Sequence, residues 1–503
     1  MGAHAQCANA EWLKPITSDD VYRCLIAVSL AGGLLDQDSK MPTVEPLHEV
    51  GIEFGNYAHK QAKFDFSGPI AGDSRYLYRL TGIARSEDRQ VQSTENKRIA
   101  IAPSFTWRPD NATSLTLFGL YQHDPRSTSY GSVPPQGTVL YNPNGKLSSD
   151  FYDGDHNFES FNRVEESVGY KFEKHINPTW TVRSNGRFLH LAQDYKSVYA
   201  SALESDLRTL DRGTGASKDN LNTISFDNQL EGNFSTGPID HISLVGFDYQ
   251  HYASNFDTGF GVAPTLDMFA PNYNQTITLP DRYHQMLSGT QYGVYAQDQA
   301  RWGNVILTLG GHEDRASSQS HNVTYGTDSS QFDRAFTGRA GLSYVFDNGI
   351  TPYFSYTQSF TPQAGTDASG KQFDPERGHQ YEVGLKFQPK GFNALFTAAL
   401  FSLTRSNLLT VDANNPNFQS QAGEARSRGV ELEAKVSLTD SLNVAGSYTY
   451  LNTVYTKDNG GLQGKHLPAV PQNQASLWAL HDQSRAARRS FDGRGRTLYG
   501  HHV

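Results

Sequence analysis

The sequence predicts an all-β fold, an antiparallel transmembrane β-barrel with about eighteen strands, and three observations support this prediction. First, Tyr, Phe and Trp make up 12% of the 503 residues and Gly contributes 45 residues, a composition typical of strands joined by turns. Second, apolar and polar residues alternate along many segments, which is the periodicity of a strand. Third, the connections between these segments are alternately short and long.

The hydropathy and the charge exclude two classes of protein. The mean hydropathy is -0.56, and the chain has no run of 18 apolar residues, which excludes a helical membrane protein. A membrane barrel remains compatible because its lipid-facing and lumen-facing residues alternate. The net charge of -9 gives no basic face for nucleic acid. Both cysteines, Cys7 and Cys24, lie near the start, and a Cys-poor body suits passage through an oxidising periplasm.

The alternation is clearest between Val430 and Leu438. The residues expected on the outer face are Val430, Leu432 and Leu438, and those expected to point inward are Glu431, Glu433 and Lys435. A strand of a soluble sandwich gives the same pattern, so no single strand decides the fold class.

The connections decide it. Segments such as 71–75, 236–240 and 303–304 are short, whereas the longer ones include 124–162, 190–222, 255–290, 315–334, 361–378, 407–424 and 457–471. Tight turns at one end of the strands and long loops at the other are typical of an outer-membrane barrel. The expected strands, from Glu49 to residue 480, are about 9 to 15 residues long.

Both ends of the chain depart from this pattern. Residues 1–30 show no alternation and stay unassigned. An apolar run, Leu25 to Leu35, begins late and follows acidic residues, unlike the hydrophobic part of a signal peptide. The last segment, Ser484 to Val503, contains five arginines and no period-2 pattern, so we expect a non-strand tail that arises from out-of-frame translation or from a gene disruption.

Short motifs resemble ferric-siderophore receptors of the hydroxamate type, which are TonB-dependent receptors. The motifs are Ala31–Leu35 with Ser39–Thr43, Phe54–Tyr57, Phe64–Ile70, Tyr78–Gly82, Ala102–Pro109, Tyr292–Gln299, Pro352–Tyr356, Gln380–Lys386, Arg428–Glu433 and Pro468–Pro471. The resemblance implies a plug remnant over 31–47, a receptor barrel over 48–480 and a non-homologous tail over 481–503. Family barrels have 22 strands and a complete plug, so the chain is expected to be a truncated receptor that does not support growth on ferric siderophores by itself.

The resemblance also implies location, ligand and partners. It places the chain in the outer membrane of a Gram-negative bacterium, as a monomer surrounded by lipid and lipopolysaccharide. It implies a ferric siderophore as the transported ligand and the TonB–ExbB–ExbD complex as the energising partner. The siderophore itself holds the iron, so no cofactor, protein metal site or nucleic-acid partner is expected. Where the family often has Arg-Tyr-Asp, this chain has His312-Glu313-Asp314, which we interpret as drift at a strand end.

No ligand-binding residue can be assigned from the sequence. The candidate wall aromatics near loop bases are Tyr121, Tyr252, Tyr356 and Phe360, and packing in the lumen or in an interface girdle is the competing interpretation for each.

Three other functions stay open. A passive porin-like channel is the main alternative, since a barrel without a plug encloses a wide lumen. An enzyme would draw on polar residues that are expected in or beside loops, namely His156, His190, His251, Asp153 and Asp155. However, the chain has no Gly-x-Ser-x-Gly elbow, phosphate loop or His-x-x-x-His pair, so no catalytic residue is predicted. Finally, a truncated barrel that exposes unpaired strand edges to lipid would have no function.

Overall fold

A computed structural model describes residues 39–127, 131, 133–363, 365–412, 419–439, 441–468, 470–482 and 491–499. These residues form one antiparallel sheet of nineteen strands. Within these ranges, no helix is long and apolar enough to cross a membrane.

The strands follow one another along the whole described chain. Their bounds are β1 Leu47–Phe54, β2 Lys60–Ile70, β3 Asp73–Asp88, β4 Glu95–Asp110, β5 Thr113–Arg126, β6 Ser160–His175, β7 Trp180–Leu203, β8 Thr209–Thr236, β9 Ile239–Asp267, β10 Tyr283–Trp302, β11 Val305–Asn322, β12 Thr327–Tyr344, β13 Ile350–Thr361, β14 Glu376–Phe387, β15 Ala394–Val411, β16 Gln419–Ser437, β17 Leu442–Lys457, β18 Asn473–Asp482 and β19 Phe491–Tyr499.

Each strand pairs with its neighbour in sequence, so the sheet is a simple up-and-down meander. Among the described residues, no pairing joins β1 to β19. The predicted antiparallel fold is confirmed, and eighteen strands lie between Leu47 and Asp482, as the alternation indicated.

The two faces of the sheet differ in a way that identifies the inside. On β16, Glu431 is 9% exposed whereas the next residue, Leu432, is 43% exposed. The same contrast recurs on β11, where Thr308 is buried and Leu309 is exposed. Side chains crowd together on the concave face of a curved sheet, so the buried polar rows form the inner face and the exposed apolar rows form the outer face. This arrangement is inverted relative to a soluble sandwich and is typical of a membrane barrel.

The register predicted for β16 is confirmed. Leu432 and Leu438 are exposed on the outer face. Glu431 pairs with Ala399 on β15 and with Thr449 on β17, and Thr449 is buried on the inner face.

The predicted lengths of several strands and loops are wrong. β7, β8 and β9 contain 24, 28 and 29 residues, and the connection expected over 190–222 shrinks to residues 204–208. Likewise β11 and β12 extend into the segment 315–334, which was expected to be a loop. Beyond the bilayer both faces of a hairpin meet water or packed loops, so nothing enforces alternation and the sequence pattern fades.

The two chain ends have different outcomes. The expectation that the tail lacks strand structure is wrong for β19, which pairs in register with β18 from Tyr499 at Gln474 to Phe491 at Asp482. Residues 1–38, 483–490 and 500–503 lie outside the described residues. Of the predicted plug remnant, the described part follows the inner face. Lys40 Nζ lies 2.8 Å from Asp65 Oδ2, and Arg79 donates to the Met41 carbonyl at 2.8 Å.

Candidate functional site

The extracellular side of β7 to β9 carries a packed structure that we call the cap. It consists of residues 133–159, residues 268–282 and the projecting strand ends 197–203, 209–216 and 259–267. Its apolar core contains Leu147, Phe151, Leu210, Leu266 and Met268, none more than 7% exposed. The cap therefore has the buried apolar cluster of a soluble domain, although it is built on strands that continue into the barrel wall.

Arg212 connects separate segments of the cap through hydrogen bonds. Its guanidinium donates to the carbonyls of Gly154 at 2.8 Å and Pro264 at 2.9 Å, and to Gln275 Oε1 at 3.1 Å. The side chain is fully buried, and Asp155 Oδ2 lies 3.9 Å away. Burial lowers the pKa of Arg212 from its ordinary value, while the neighbouring carboxylates act in the opposite direction.

The two aspartates considered for an enzyme have structural partners in the cap. Asp153 Oδ2 accepts from the Ala200 amide at 2.9 Å. Asp155 accepts from the amides of Gln275 at 3.0 Å and Asn157 at 3.1 Å. Both carboxylates are almost fully buried. They hold loop backbone in place.

The three candidate histidines do not come together. His156 packs against the rings of Tyr152 and Tyr273, with centroids 5.7 and 5.5 Å away, and its Nε2 lies 3.2 Å from Ser93 Oγ. His190 and His251 lie within β7 and β9, where they face Asn222 and Thr290 on the neighbouring strands. The expectation that these two lie in or beside loops is wrong, because the strands project further than their sequences indicate.

A cavity of about 240 Å³ lies between the cap and the β3–β4 loop, lined by Val91, Thr94, Phe151, Tyr152 and Asp153. Burial raises the pKa of the Tyr152 phenol well above its ordinary value, so the hydroxyl stays protonated. Ligand pockets usually measure about 300–1,000 Å³. The cavity is therefore below the size expected for an organic chelate, and the inner wall of the barrel is the better candidate for a binding surface.

Tyr252 lies on the inner face, and Phe360 packs against inner-face residues of β11 and β12 beyond Thr357, where β13 no longer pairs with β12. The Tyr252 ring lies over Gly289 on β10, where an added Cβ would approach Tyr252 Cε1 to 2.4 Å, so the absence of a side chain at Gly289 makes room for it. Tyr252 is half-buried and stays open to the lumen. Phe360 is only 8% exposed because it packs against Ala316 and Ala335. Only Tyr252 combines an inward position with access.

The other two candidates lie on the outer face. Tyr121 is 40% exposed and shares its face of β5 with Leu117. Tyr356 packs against Tyr381 on β14, with ring centroids 4.9 Å apart, and Tyr381 is 50% exposed beside Val383. Aromatic residues on this face are typical of the girdles of a membrane barrel.

Sequence reasoning missed two features. Arg212 lies in a polar, Gly-rich segment that gives no indication of burial. His312 and Asp314 lie in the middle of β11, which extends over Val305–Asn322, so the interpretation of His312-Glu313-Asp314 as drift at a strand end is wrong. The alternation of this segment was the available indication, since it places His312 and Asp314 together on one face.

Comparison with known proteins identifies the family. Residues 104–500 match the family described as TonB dependent receptor-like, beta-barrel. The ferrichrome outer membrane transporter/phage receptor of Escherichia coli K12 is 40% identical over 482 residues, which cover 90% of this chain and 64% of that protein. The ferrioxamine B receptor of Salmonella typhimurium LT2 is 37% identical, with 90% of this chain and 64% of that protein covered. The chain thus spans less than two thirds of the length of these relatives.

Solved structures support the same fold. The ferric-catecholate import receptor Fiu of Escherichia coli K12, in its closed form, has a TM-score of 0.78 at 19% identity and covers 91% of this chain and 72% of its own. The siderophore receptor PiuA of Acinetobacter baumannii has a TM-score of 0.79 at 18% identity, with 92% and 72% covered. The predicted location in the outer membrane of a Gram-negative bacterium is confirmed. The chain belongs to the TonB-dependent receptors and carries their β-barrel.

Proposed function

We propose that this chain forms the barrel of a receptor that takes up ferric siderophores of the hydroxamate class, with energy from the TonB–ExbB–ExbD complex. The observation that carries the proposal is the 40% identity with a ferrichrome transporter over 90% of the chain. The relative at 37% identity is a receptor for ferrioxamine B. The iron enters as part of the transported chelate, and the protein performs no catalysis.

The structure supplies a surface that suits this role. The inner wall presents the half-buried Tyr252 in the middle of β9, where a ligand that has entered the lumen would meet it. Aromatic side chains contribute large contact areas at low entropic cost. The outer face carries exposed apolar rows that would lie against lipid, with the molecule acting as a monomer. None of the relatives described above is a porin, so nothing favours the passive-channel alternative.

The test is uptake and binding of ferrichrome and ferrioxamine B loaded with radioactive iron. The complete receptor gene, expressed from its own locus in a receptor-deleted host, is expected to give accumulation that disappears when TonB is deleted. Accumulation that persists without TonB would favour a passive channel, and absence of binding to both chelates would contradict the proposal.

The candidate aromatics provide matched variants for the same assay. Tyr252→Ala removes an inward ring and is expected to weaken chelate binding roughly tenfold, which corresponds to about 1.4 kcal/mol. Tyr121→Ala and Tyr356→Ala remove rings of the same type from the outer face and are expected to leave binding unchanged. Equal effects of all three substitutions would rule out a specific contact at Tyr252.

A further inference from the structure

Three potential metal ligands converge on the inner face, on β9 and β11. Asp248, His312 and Asp314 each place one ligand atom so that all three atoms lie within 4.8 Å of one another. His312 Nε2 lies 3.0 Å from Asp248 Oδ2 and 3.5 Å from Asp314 Oδ1. We propose that these three side chains form a binding site for a divalent first-row transition-metal ion such as Zn²⁺, resident in the barrel wall.

The register of three strands produces this convergence. Gly293 on β10 pairs with Asp248 on one side and with Asp314 on the other, and Tyr295, two residues further along β10, pairs with His312. A Cβ at Gly293 would lie 2.1 Å from His312 Nε2 and 3.0 Å from Asp248 Oδ2. The missing side chain is therefore what lets the imidazole and the carboxylate meet above the sheet.

Two of the ligand atoms lack the hydrogen bonds that buried polar atoms usually make. Asp248 Oδ2 and His312 Nε2 are both buried and have no hydrogen-bond partner of acceptable geometry among the described residues. They are close enough for an ion pair, but their alignment is poor for a hydrogen bond. Most buried polar atoms have such partners, so exceptions require an explanation such as an ion. A metal ion between the three side chains would coordinate both atoms.

The surroundings suit a cation. Gln291 Nε2 donates to Asp314 Oδ1 at 2.9 Å and orients that carboxylate, as partners of metal ligands commonly do. The Tyr295 ring packs edge-on against His312 at 5.5 Å. The side chains of Asp248 and His312 remain 30% and 33% exposed, which leaves a route from the lumen and room for water ligands. The nearby cationic side chain of Arg339 lies one row nearer the periplasmic turn, over Gly310, and is not part of the group of three ligands.

The ligand set narrows the type of ion. One imidazole nitrogen and two carboxylate oxygens balance the charge of a divalent ion when His312 is neutral. Imidazole and carboxylate ligands suit Zn²⁺ and its neighbours in the first row, whereas Ca²⁺ and Mg²⁺ prefer oxygen ligands only. The site is distinct from the transported iron, which the siderophore itself would hold.

The test uses the receptor expressed from its own locus, purified in detergent and titrated with Co²⁺ in the absence of siderophore. We expect one Co²⁺ to bind per chain, with the visible absorption spectrum of Co²⁺ coordinated by nitrogen and oxygen ligands. We also expect Zn²⁺ to displace the bound Co²⁺. Because no siderophore is present, the result is independent of transport. Absence of this Co²⁺ spectrum would overturn the proposal and would leave a protonated His312 between two carboxylates as the explanation.

Variants separate the site from adventitious binding. Asp314→Asn keeps the shape of a ligand but removes its charge, and is expected to weaken Co²⁺ binding at least roughly tenfold. Gly293→Ala keeps all three ligands but displaces His312, and is expected to have the same effect. Circular dichroism establishes that each variant retains its sheet. If Gly293→Ala does not fold, Asp314→Asn alone tests whether Co²⁺ binds at the proposed site.

A matched control lies on the outer face of the same sheet. His241 Nδ1 lies 2.8 Å from Asp298 Oδ2 on β9 and β10, so this pair has the same residue types but no third ligand in the described structure. Asp298→Asn is expected to leave Co²⁺ binding unchanged. Binding that is lost equally in Asp298→Asn and Asp314→Asn would contradict a specific site at Asp248, His312 and Asp314.

Discussion

The cap and the wall, which is the part of the barrel that crosses the membrane, differ in whether their apolar residues are buried or exposed. In the cap, Leu210 and Leu266 are at most 1% exposed and pack against residues from distant loops. In the wall, Val383 and Phe336 are 52% and 62% exposed on the outer face, where lipid replaces a protein core. One continuous set of strands therefore buries its apolar residues in a core at the extracellular end and exposes them on its outer face within the bilayer.

Polar residues show the same contrast. In the wall they pair across neighbouring strands, as where Arg98 and Arg163 both bind Asp124 at 2.7 and 3.0 Å. In the cap, Arg212 instead reaches backbone carbonyls of two separate segments. The wall needs only correct pairing of adjacent strands, whereas the cap needs long-range packing.

The largest expected effect follows from replacing the buried cation of the cap. Arg212→Met is expected to destabilise the cap by about 3–5 kcal/mol, because buried carbonyls and the Asp155 carboxylate lose their partner. Hydrogen exchange should rise strongly over residues 133–159 while the protection of the membrane strands stays unchanged.

The control for this variant is Arg208→Met on the same hairpin. Arg208 pairs with Asp267 at 2.7 Å but is 42% exposed, so its loss should cost no more than about 1 kcal/mol. If Arg212→Met also lowered the protection of the membrane strands, the cap and the wall would unfold as one cooperative unit and would not be independent.

An effect of intermediate size is expected when a charged residue is introduced on the outer face of the wall. Leu432 lies well inside β16, whereas Leu438 shares its face next to the periplasmic turn. Leu432→Arg is expected to cost about 2–4 kcal/mol of unfolding free energy, and Leu438→Arg about 0–1 kcal/mol. Urea unfolding in lipid vesicles measures both. Equal costs would mean that this face does not cross the bilayer as proposed.

The smallest expected effect concerns an ion pair at the extracellular end of the wall. Glu424 accepts hydrogen bonds from Lys457 at 2.7 Å and Thr456 at 2.8 Å, and the bond from Lys457 holds the pKa of Glu424 below its ordinary value. A depressed folded-state pKa stabilises the protein above the unfolded pKa of about 4.3. That stabilisation disappears as the pH falls through the folded value.

The measurement compares thermal unfolding of the native protein and Glu424→Gln at pH 7 and pH 3. The difference should be below about 1 kcal/mol at pH 7, because the pair is solvent-accessible, and should vanish at pH 3. All other carboxylates titrate equally in both proteins and cancel. A difference that does not depend on pH would show that Glu424 contributes by packing alone.

The sequence by itself determined the membrane part of the fold. Alternation in segments such as Val430–Leu438 places side chains on two faces because the strand repeats every two residues. The bilayer makes those faces chemically opposite, so local pattern alone predicts strands, turns and the orientation of Glu431 and Leu432. The four aromatic candidates were not resolved in this way, since Tyr and Phe are compatible with either face.

Only the tertiary structure decided what the strand ends and the inner face contain. The burial of Arg212 depends on Gly154, Pro264 and Gln275, which come from three different segments. The meeting of Asp248 with His312 depends on the register of β9, β10 and β11 together. Both arrangements arise from contacts between residues far apart in the chain, and a period-2 pattern contains no information about which residues lie opposite one another.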